Sequence, residues 1–148
     1  MGAITISLRL TAPEPDIARV SLGRRQFSIG RPLEFDEMSP RVSAIEYALG
    51  AVGGEVINGL RVFADRRRLT LDAVEAIVTG ELENALTYLE VVGEDGQPRI
   101  ARIHVKVFVA SSDAAATRAL FEHVLDRLPL VCTLRRALTL TIDLTLTS

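Results

Sequence analysis

Residues 43–68 constrain the fold most, because they combine a long helical pattern of apolar side chains with a charge in its middle. The apolar residues at helical spacing are Ile45, Leu49, Val52, Val56 and Phe63, with Ile57 and Leu60 widening the apolar surface. A surface of this width predicts a helix that is packed on most sides, with Ser43 as its N-cap. Glu55 lies in the glycine-rich middle of this helix and needs a structural or chemical reason to be there.

Strand patterns flank this helix on both sides. Before it, residues 4–10 alternate apolar and polar side chains, and short strands follow, which predicts an N-terminal β meander over about residues 1–30. After it, the pattern predicts strands over residues 71–82, 84–92 and 100–109, a second helix over 113–128 that Pro129 ends, and a half-buried strand over 138–147. Helices are too few for a regular βαβ alternation. We therefore expect a single α+β domain over residues 1–148.

Composition and charge exclude several classes of function. The formal net charge of −2 gives no electrostatic reason to expect nucleic-acid binding, and no apolar run is long enough to span a membrane. A single cysteine, Cys132, allows no intrachain disulfide or zinc finger, and the N-terminus lacks a signal-peptide pattern. These features predict a cytoplasmic protein without membrane or nucleic-acid partners.

The sequence also has no recognisable motif for binding a metal ion or a cofactor. His104 and His123 have no partner at metal-ligand spacing, and Gly50, Gly53 and Gly54 lie inside a helix rather than in a phosphate-binding loop. We expect no metal and no cofactor. The basic residues 66–68 at the helix C-terminus are expected to complement the helix dipole rather than to bind a ligand.

Several motifs, taken in order, resemble those of the OsmC/Ohr superfamily, the osmotically inducible and organic hydroperoxide resistance proteins. Residues 43–46 (SAIE) stand where the family has N-P-x-E, residues 51–56 (AVGGEV) correspond to A-L-G-S-C-L, and residues 64–67 (ADRR) to the end of the family helix. Residues 31–35 (RPLEF) resemble the preceding loop, and residues 128–134 (LPLVCTL) resemble C/S-P-V-x-N-T-L. The resemblance implies an OsmC-like fold, with antiparallel sheets packed around a long central helix and a second helix before the last strand.

Two departures from the family pattern concern its chemistry. In the peroxidase members one cysteine on the long helix attacks the hydroperoxide, and a second cysteine resolves the resulting sulfenic acid. The resemblance places Glu55 at the first of these positions and Leu128 at the second. Neither side chain can run a thiol cycle, so we expect the peroxidase activity to be lost.

The remaining candidate site residues each keep two interpretations. Glu55 is either a structural carboxylate or an acid–base group in the former cysteine pocket. Glu46 corresponds to the family glutamate that holds an arginine near the thiolate, or it is a helix-start glutamate favoured by the dipole. Nine helical residues separate the two by about 13 Å, and Arg24 or Arg25 is the arginine expected to approach one of them. Cys132 is either a small apolar filler at the start of the last strand or a lone redox thiol.

Two functions follow, and the first is favoured. The resemblance implies a homodimer with the long helices buried at its centre, and a non-redox member would bind a small hydrophobic ligand in a pocket at the dimer interface. The alternative is an enzyme of the hydroperoxide-detoxification type that uses Cys132, or one that uses Glu55 with Glu46 and Arg25 for acid–base chemistry.

Overall fold

The computed structural model describes residues 2–34 and 39–147. The chain divides into two units, residues 1–48 and 49–148. In chain order the elements are β1 Arg9–Glu14, β2 Ile17–Leu22, β3 Arg25–Ile29, α1 Ala44–Arg66, β4 Ala73–Glu83, α2 Ala85–Tyr88, β5 Arg99–Ala110, α3 Ala114–Leu125, α4 Pro129–Leu134 and β6 Thr139–Thr147. The α+β class, the long helix and a second helix before the last strand are confirmed. The loop that the resemblance places at residues 31–35 ends at residue 35, which lies outside the described ranges.

The first unit contains a three-stranded antiparallel sheet in the order β1-β2-β3. This confirms the N-terminal meander, but its first strand is Arg9–Glu14, which includes Pro13, whereas the alternation that predicted a strand covers residues 4–10. The register between β1 and β2 is irregular between Thr11 and Glu14, and an edge strand tolerates proline at such a place. In the same unit the rings of Phe27 and Tyr47 lie 5.3 Å apart.

The second unit contains a mixed sheet in the order β4-β5-β6. β4 and β5 pair antiparallel, as expected, but β5 and β6 pair parallel. The expectation of purely antiparallel sheets is therefore wrong for the last strand. The reason is the connection: parallel neighbours need a crossover of a dozen or more residues, and α3 and α4 supply it between β5 and β6. The alternation along β6 is as predicted, with exposed threonines between half-buried aliphatic residues.

One side of α1 packs in the core of the second unit. Val52, Val56, Leu60 and Ala64 are buried there, together with the inward residues of β5 and with residues of α3 and α4. The buried surface is narrower than the predicted one, because Ile57, which was expected to widen it, is only half-buried, and Val62 is 46% exposed. In this single chain the helix is thus covered along one stripe rather than on most sides.

The strand predicted over residues 84–92 is wrong. Asn84 has a positive φ of 52°, in the left-handed region, and its side-chain amide donates to the carbonyl of Gln97 at 2.8 Å. A residue in this conformation ends a strand, and asparagine adopts it more readily than most residues. The chain then forms the short helix α2.

The end of the second helix also differs from the prediction. α3 ends at Leu125, and Pro129 begins the further helix α4 instead of leading into the last strand. Proline suits the first position of a helix, because its φ is already helical and its missing N–H has no partner to lose there. Among the described residues, no helix combines the length and the apolarity that a membrane crossing requires.

Candidate functional site

Glu55 forms hydrogen bonds with the start of α4. Its Oε1 accepts from the backbone N–H of Leu130 at 3.1 Å, and its Oε2 accepts from that of Val131 at 3.2 Å. The first N–H groups of a helix have no partner within the helix, and the positive end of the helix dipole favours a negative charge. Glu55 thus acts as an N-terminal cap that is supplied by a distant part of the chain. Both carboxylate oxygens are engaged in it.

Leu128 precedes this capped end and is buried. One of its methyl carbons, Cδ2, lies 2.6 Å from where a Cβ on Gly59 would be, so the two residues are in close contact. Gly59 follows Glu55 by one turn of α1. The two positions that the resemblance pairs with the family cysteines therefore approach the same segment, the junction between α3 and α4.

Cys132 lies in α4, so its predicted place at the start of the last strand is wrong. It is half-buried, and its thiol donates to the carbonyl oxygen of Leu125 with a sulfur–oxygen distance of 3.8 Å. The thiol therefore points back toward the end of α3. Its role as a lone redox thiol stays a prediction.

Glu46 lies in the first turn of α1 and forms a reciprocal pair with Ser43. The backbone N–H of Ser43 donates to Oε2 of Glu46 at 2.7 Å, and the N–H of Glu46 donates to Oγ of Ser43 at 3.3 Å. This arrangement is a capping box, which satisfies two N–H groups at the helix start. The backbone hydrogen bond from Ser43, followed by the contact with its side chain, lowers the pKa of Glu46 below its usual 4.5. The contacts agree with the helix-start interpretation of Glu46.

Arg25 is exposed at the beginning of β3, where it pairs with Leu22 of β2 in the sheet register. The backbone register fixes its place in the first unit. Its approach to a glutamate, and the catalytic roles of Arg25, Glu46 and Glu55, stay predictions.

His104 and Asp143 form a side-chain hydrogen bond that the sequence analysis did not predict. Nε2 of His104 lies 2.7 Å from Oδ2 of Asp143, on the outer face of the mixed sheet. The alternation of apolar and polar residues along β5 and β6 placed both side chains on the polar faces of these strands. Only the parallel register of β5 and β6, in which Lys106 pairs with Asp143, brings them together.

Two of the cavities among the described residues lie at the two ends of α1, and charged side chains contribute to the lining of both. In the first unit, a cavity of about 120 Å³ is lined by Arg31, Pro32, Leu33, Glu34, Ser39, Arg41, Ser43 and Glu46. In the second unit, an open cavity of about 410 Å³ is lined by Arg61, Ala64, Asp65, Arg68, Leu69, Thr70 and Leu71. Neither is the apolar pocket that a hydrophobic ligand would require within one chain.

Comparison with known proteins gives a consistent relationship. Residues 36–147 match the family model described as OsmC-like protein. The chain is similar in structure to an OsmC-like protein from Mycoplasma pneumoniae, with a TM-score of 0.78, 15% sequence identity and coverage of 98% of this chain and 99% of that one.

Two organic hydroperoxide resistance proteins are also similar in fold. The one from Legionella pneumophila gives a TM-score of 0.69 at 9% identity and covers both chains fully, at 100% each. The one from Elizabethkingia anophelis gives 0.67 at 10% identity, with 99% of each chain covered. No curated protein matches the sequence significantly.

Proposed function

Because the chain belongs to the OsmC-like protein family, we propose that it is a non-redox member that binds a small hydrophobic ligand at the interface of a homodimer. The observation that carries this proposal is the cap that Glu55 forms on α4 through Leu130 and Val131. A carboxylate held by two backbone N–H groups stabilises the junction between α3 and α4. The resemblance places the reactive sulfur of the peroxidase members at this position, and we propose that the carboxylate has replaced it.

The cysteine content supports the loss of the peroxidase cycle. That cycle forms a sulfenic acid on one cysteine and resolves it with a second one as a disulfide. The chain has one cysteine, Cys132, so it cannot complete this intrachain cycle. The names of the Legionella and Elizabethkingia proteins refer to hydroperoxide resistance, and we propose that this chain has kept their fold without their chemistry. A lone reduced cysteine suits the cytoplasm, which is the compartment we propose.

Exposed apolar side chains in the second unit support a second copy as the partner. Val62 of α1, Ile77 of β4 and Leu130 of α4 are 46%, 59% and 40% exposed. A second copy of the same chain, related by symmetry, can bury large apolar side chains of this kind and remove them from water. We propose that the dimer covers the open side of α1 and that the apolar ligand pocket forms only when two chains combine.

Native mass spectrometry of the purified protein tests the dimer and the ligand together. We expect a dimer that carries an additional small mass, which is released by organic solvent. Val62→Asp should dissociate this dimer, because it places a charge on the proposed interface. Val92→Asp is the matched control, since Val92 is 99% exposed in a loop. A monomer in the wild-type protein would contradict the interface pocket.

Hydroperoxide consumption in the presence of a dithiol tests the loss of the redox activity. We expect no turnover above that of the buffer with dithiol. The alternative is an enzyme of the detoxification type, and it has two forms that the assay separates. Turnover that is lost in Cys132→Ser would establish thiol chemistry, and turnover that survives in Cys132→Ser but not in Glu55→Gln would establish acid–base chemistry. Either result overturns the proposal.

A further inference from the structure

One face of the N-terminal sheet carries two arginines and two hydroxyl groups at adjacent positions. Arg9 pairs with Ser21 across β1 and β2, and Thr11 pairs with Arg19, so the four residues occupy the corners of a square. Residues directly opposite each other, and residues two apart on one strand, share a face of the sheet. The arginines lie on one diagonal of this square and the hydroxyl residues on the other. We call these four residues the Arg9–Arg19 square.

The spacing of the square allows both arginines to approach one ligand. Diagonal neighbours in an antiparallel pair are about 7–8 Å apart, which long side chains can span. Arg9 and Arg19 are both exposed, so their guanidinium groups are open to solvent. A small anion above the centre of the square is therefore within reach of both.

An open cavity of about 630 Å³ lies over this face. Gln26 of β3, which pairs with Ser21, extends the polar surface beyond the square. None of the lining residues has a carboxylate, and most of them have a guanidinium, a hydroxyl or an amide. The cavity is lined by Ser7, Leu8, Arg9, Thr11, Arg19, Ser21, Gly23 and Gln26.

The carboxylates of the three strands and their turns do not neutralise the square. Asp16 lies 3.4 Å from Arg31, which is outside the cavity. Glu14 lies at the end of β1, beyond the irregular register, and does not line the cavity. Arg24 and Arg25 add further positive charge to the same stretch of chain. Among the described residues, no ion pair joins a carboxylate to either arginine of the square.

The mixed sheet of the second unit shows the usual alternative. There Arg99 binds Glu83 at 2.8 Å, and Arg102 lies 3.8 Å from Glu81. In both pairs the carboxylate is on the adjacent strand, which is the arrangement that stabilises a sheet. The arginines of the N-terminal sheet lack such partners, so their place in the sequence needs another reason.

Protection of a sheet edge explains only one of the two arginines. Charged side chains on an edge strand oppose pairing with other chains, and this reason fits Arg9 on β1. It does not fit Arg19, because β2 is the central strand. The direct neighbours of Arg19 are two hydroxyl residues, Thr11 on one side and Ser28 on the other. A central cation surrounded by hydroxyl groups is typical of a site for an oxyanion.

We propose that the Arg9–Arg19 square binds the phosphoryl group of a phosphate monoester whose body carries hydroxyl groups, such as a sugar phosphate. The planar guanidinium groups each donate to two phosphoryl oxygens, and the hydroxyls of Thr11 and Ser21 donate to the others. Gln26 offers both a donor and an acceptor to the hydroxyl groups of the body. A volume of about 630 Å³ is within the range of small-molecule sites. The site uses none of the residues on which the proposed dimer pocket depends.

Isothermal titration calorimetry of the intact protein tests the site. Glucose 6-phosphate should bind saturably at one site per chain. Inorganic phosphate should bind at least about tenfold more weakly, because it makes no contact through a sugar body. Glucose should give no binding heat, since it lacks the charged group. All three titrations are made at one ionic strength, set with sodium chloride, so that general screening is the same.

Variants identify the residues that are responsible. Arg9→Gln and Arg19→Gln should each weaken the binding of glucose 6-phosphate by about tenfold or more, because each removes a charge-assisted contact. Thr11→Val should weaken it less, since it removes a neutral hydrogen bond. Arg24→Gln is the matched control: it changes the net charge equally, but Arg24 is exposed in a turn and does not line the cavity. Thermal unfolding of each variant confirms that it is folded.

Three results would overturn the proposal. The first is the absence of saturable binding of glucose 6-phosphate to the wild-type protein. The second is an affinity for inorganic phosphate equal to that for the sugar phosphate. The third is an equal loss of affinity in Arg24→Gln and Arg19→Gln, which would show that only the overall charge of the first unit matters.

Discussion

Glu55 in the middle of α1 accepts a hydrogen bond from the backbone N–H of Val131, 76 residues later in the chain. Together with the bond from Leu130, this contact fastens α4 to the long helix. The residue that sequence reasoning singled out as a candidate catalytic group thus has a clear structural role. The free energy of unfolding that is lost when Glu55 is replaced can be measured.

Glu55→Ala should destabilise the protein by about 1–2 kcal/mol, because two N–H groups at the start of α4 lose their acceptor. Glu55→Gln should cost less, since its amide oxygen can still accept one bond. Urea unfolding at a fixed protein concentration measures both. Glu122→Ala is the matched control, because Glu122 is exposed on α3 and should change stability little. An Ala variant as stable as the wild type would show that the cap contributes nothing.

Sequence reasoning succeeded where the determinants are local. The bounds of α1 and its N-cap Ser43 follow from periodicity and from a capping pattern three residues apart. The contact of Glu55 with Val131 could not be predicted, because it joins residues far apart in the chain. The same holds for His104 and Asp143, whose pairing depends on a parallel register between strands. α4 was missed for another reason: a short apolar run after a proline fits a strand as well as a helix.

Adjacent glycines in α1 give opposite predictions. A Cβ on Gly53 would lie 2.6 Å from Cγ2 of Val78 on β4, whereas a Cβ on Gly54 would meet nothing within 4 Å. Valine is stiff at χ1 and cannot move aside easily. Gly53→Ala should therefore destabilise the protein by about 1–3 kcal/mol.

Gly54→Ala should instead stabilise the protein by about 0.5–1 kcal/mol, because alanine loses less conformational entropy in a helix. The two variants have the same composition, so a difference in their unfolding midpoints reports the contact with Val78 alone. Equal effects of the two substitutions would contradict the close packing of α1 on β4 at Gly53.

Acid sensitivity should reveal the capping box of α1. The pKa of Glu46 is lowered in the folded state, so its stabilising contribution is present above the unfolded value of 4.5 and is lost as the pH falls through the folded value. Glu46→Gln keeps a side-chain acceptor for Ser43 but not the charge. Its stability should therefore fall below that of the wild type at pH 6 and approach it in acid. Glu46→Ala should remain less stable across the whole range, and a constant gap for Glu46→Gln would contradict the charge effect.

His123 should add a second pH dependence at a higher pH. Its folded pKa is lowered from 6.5, mainly by partial burial and then by Arg127 and Arg67, so the unfolded chain binds the proton more readily. Stability is then fully present above pH 6.5 and decreases as the pH falls from 6.5 to the folded value. His123→Gln should remove this slope in urea unfolding measured between pH 7 and 5.

The neighbouring arginines provide the control for that slope. Arg67→Gln and Arg127→Gln each remove one repelling charge, so each should raise the pKa of His123 and reduce the slope without abolishing it, because the partial burial of the ring remains. A slope that is the same in His123→Gln as in the wild type would assign the pH dependence to other groups and would contradict the lowered pKa of His123.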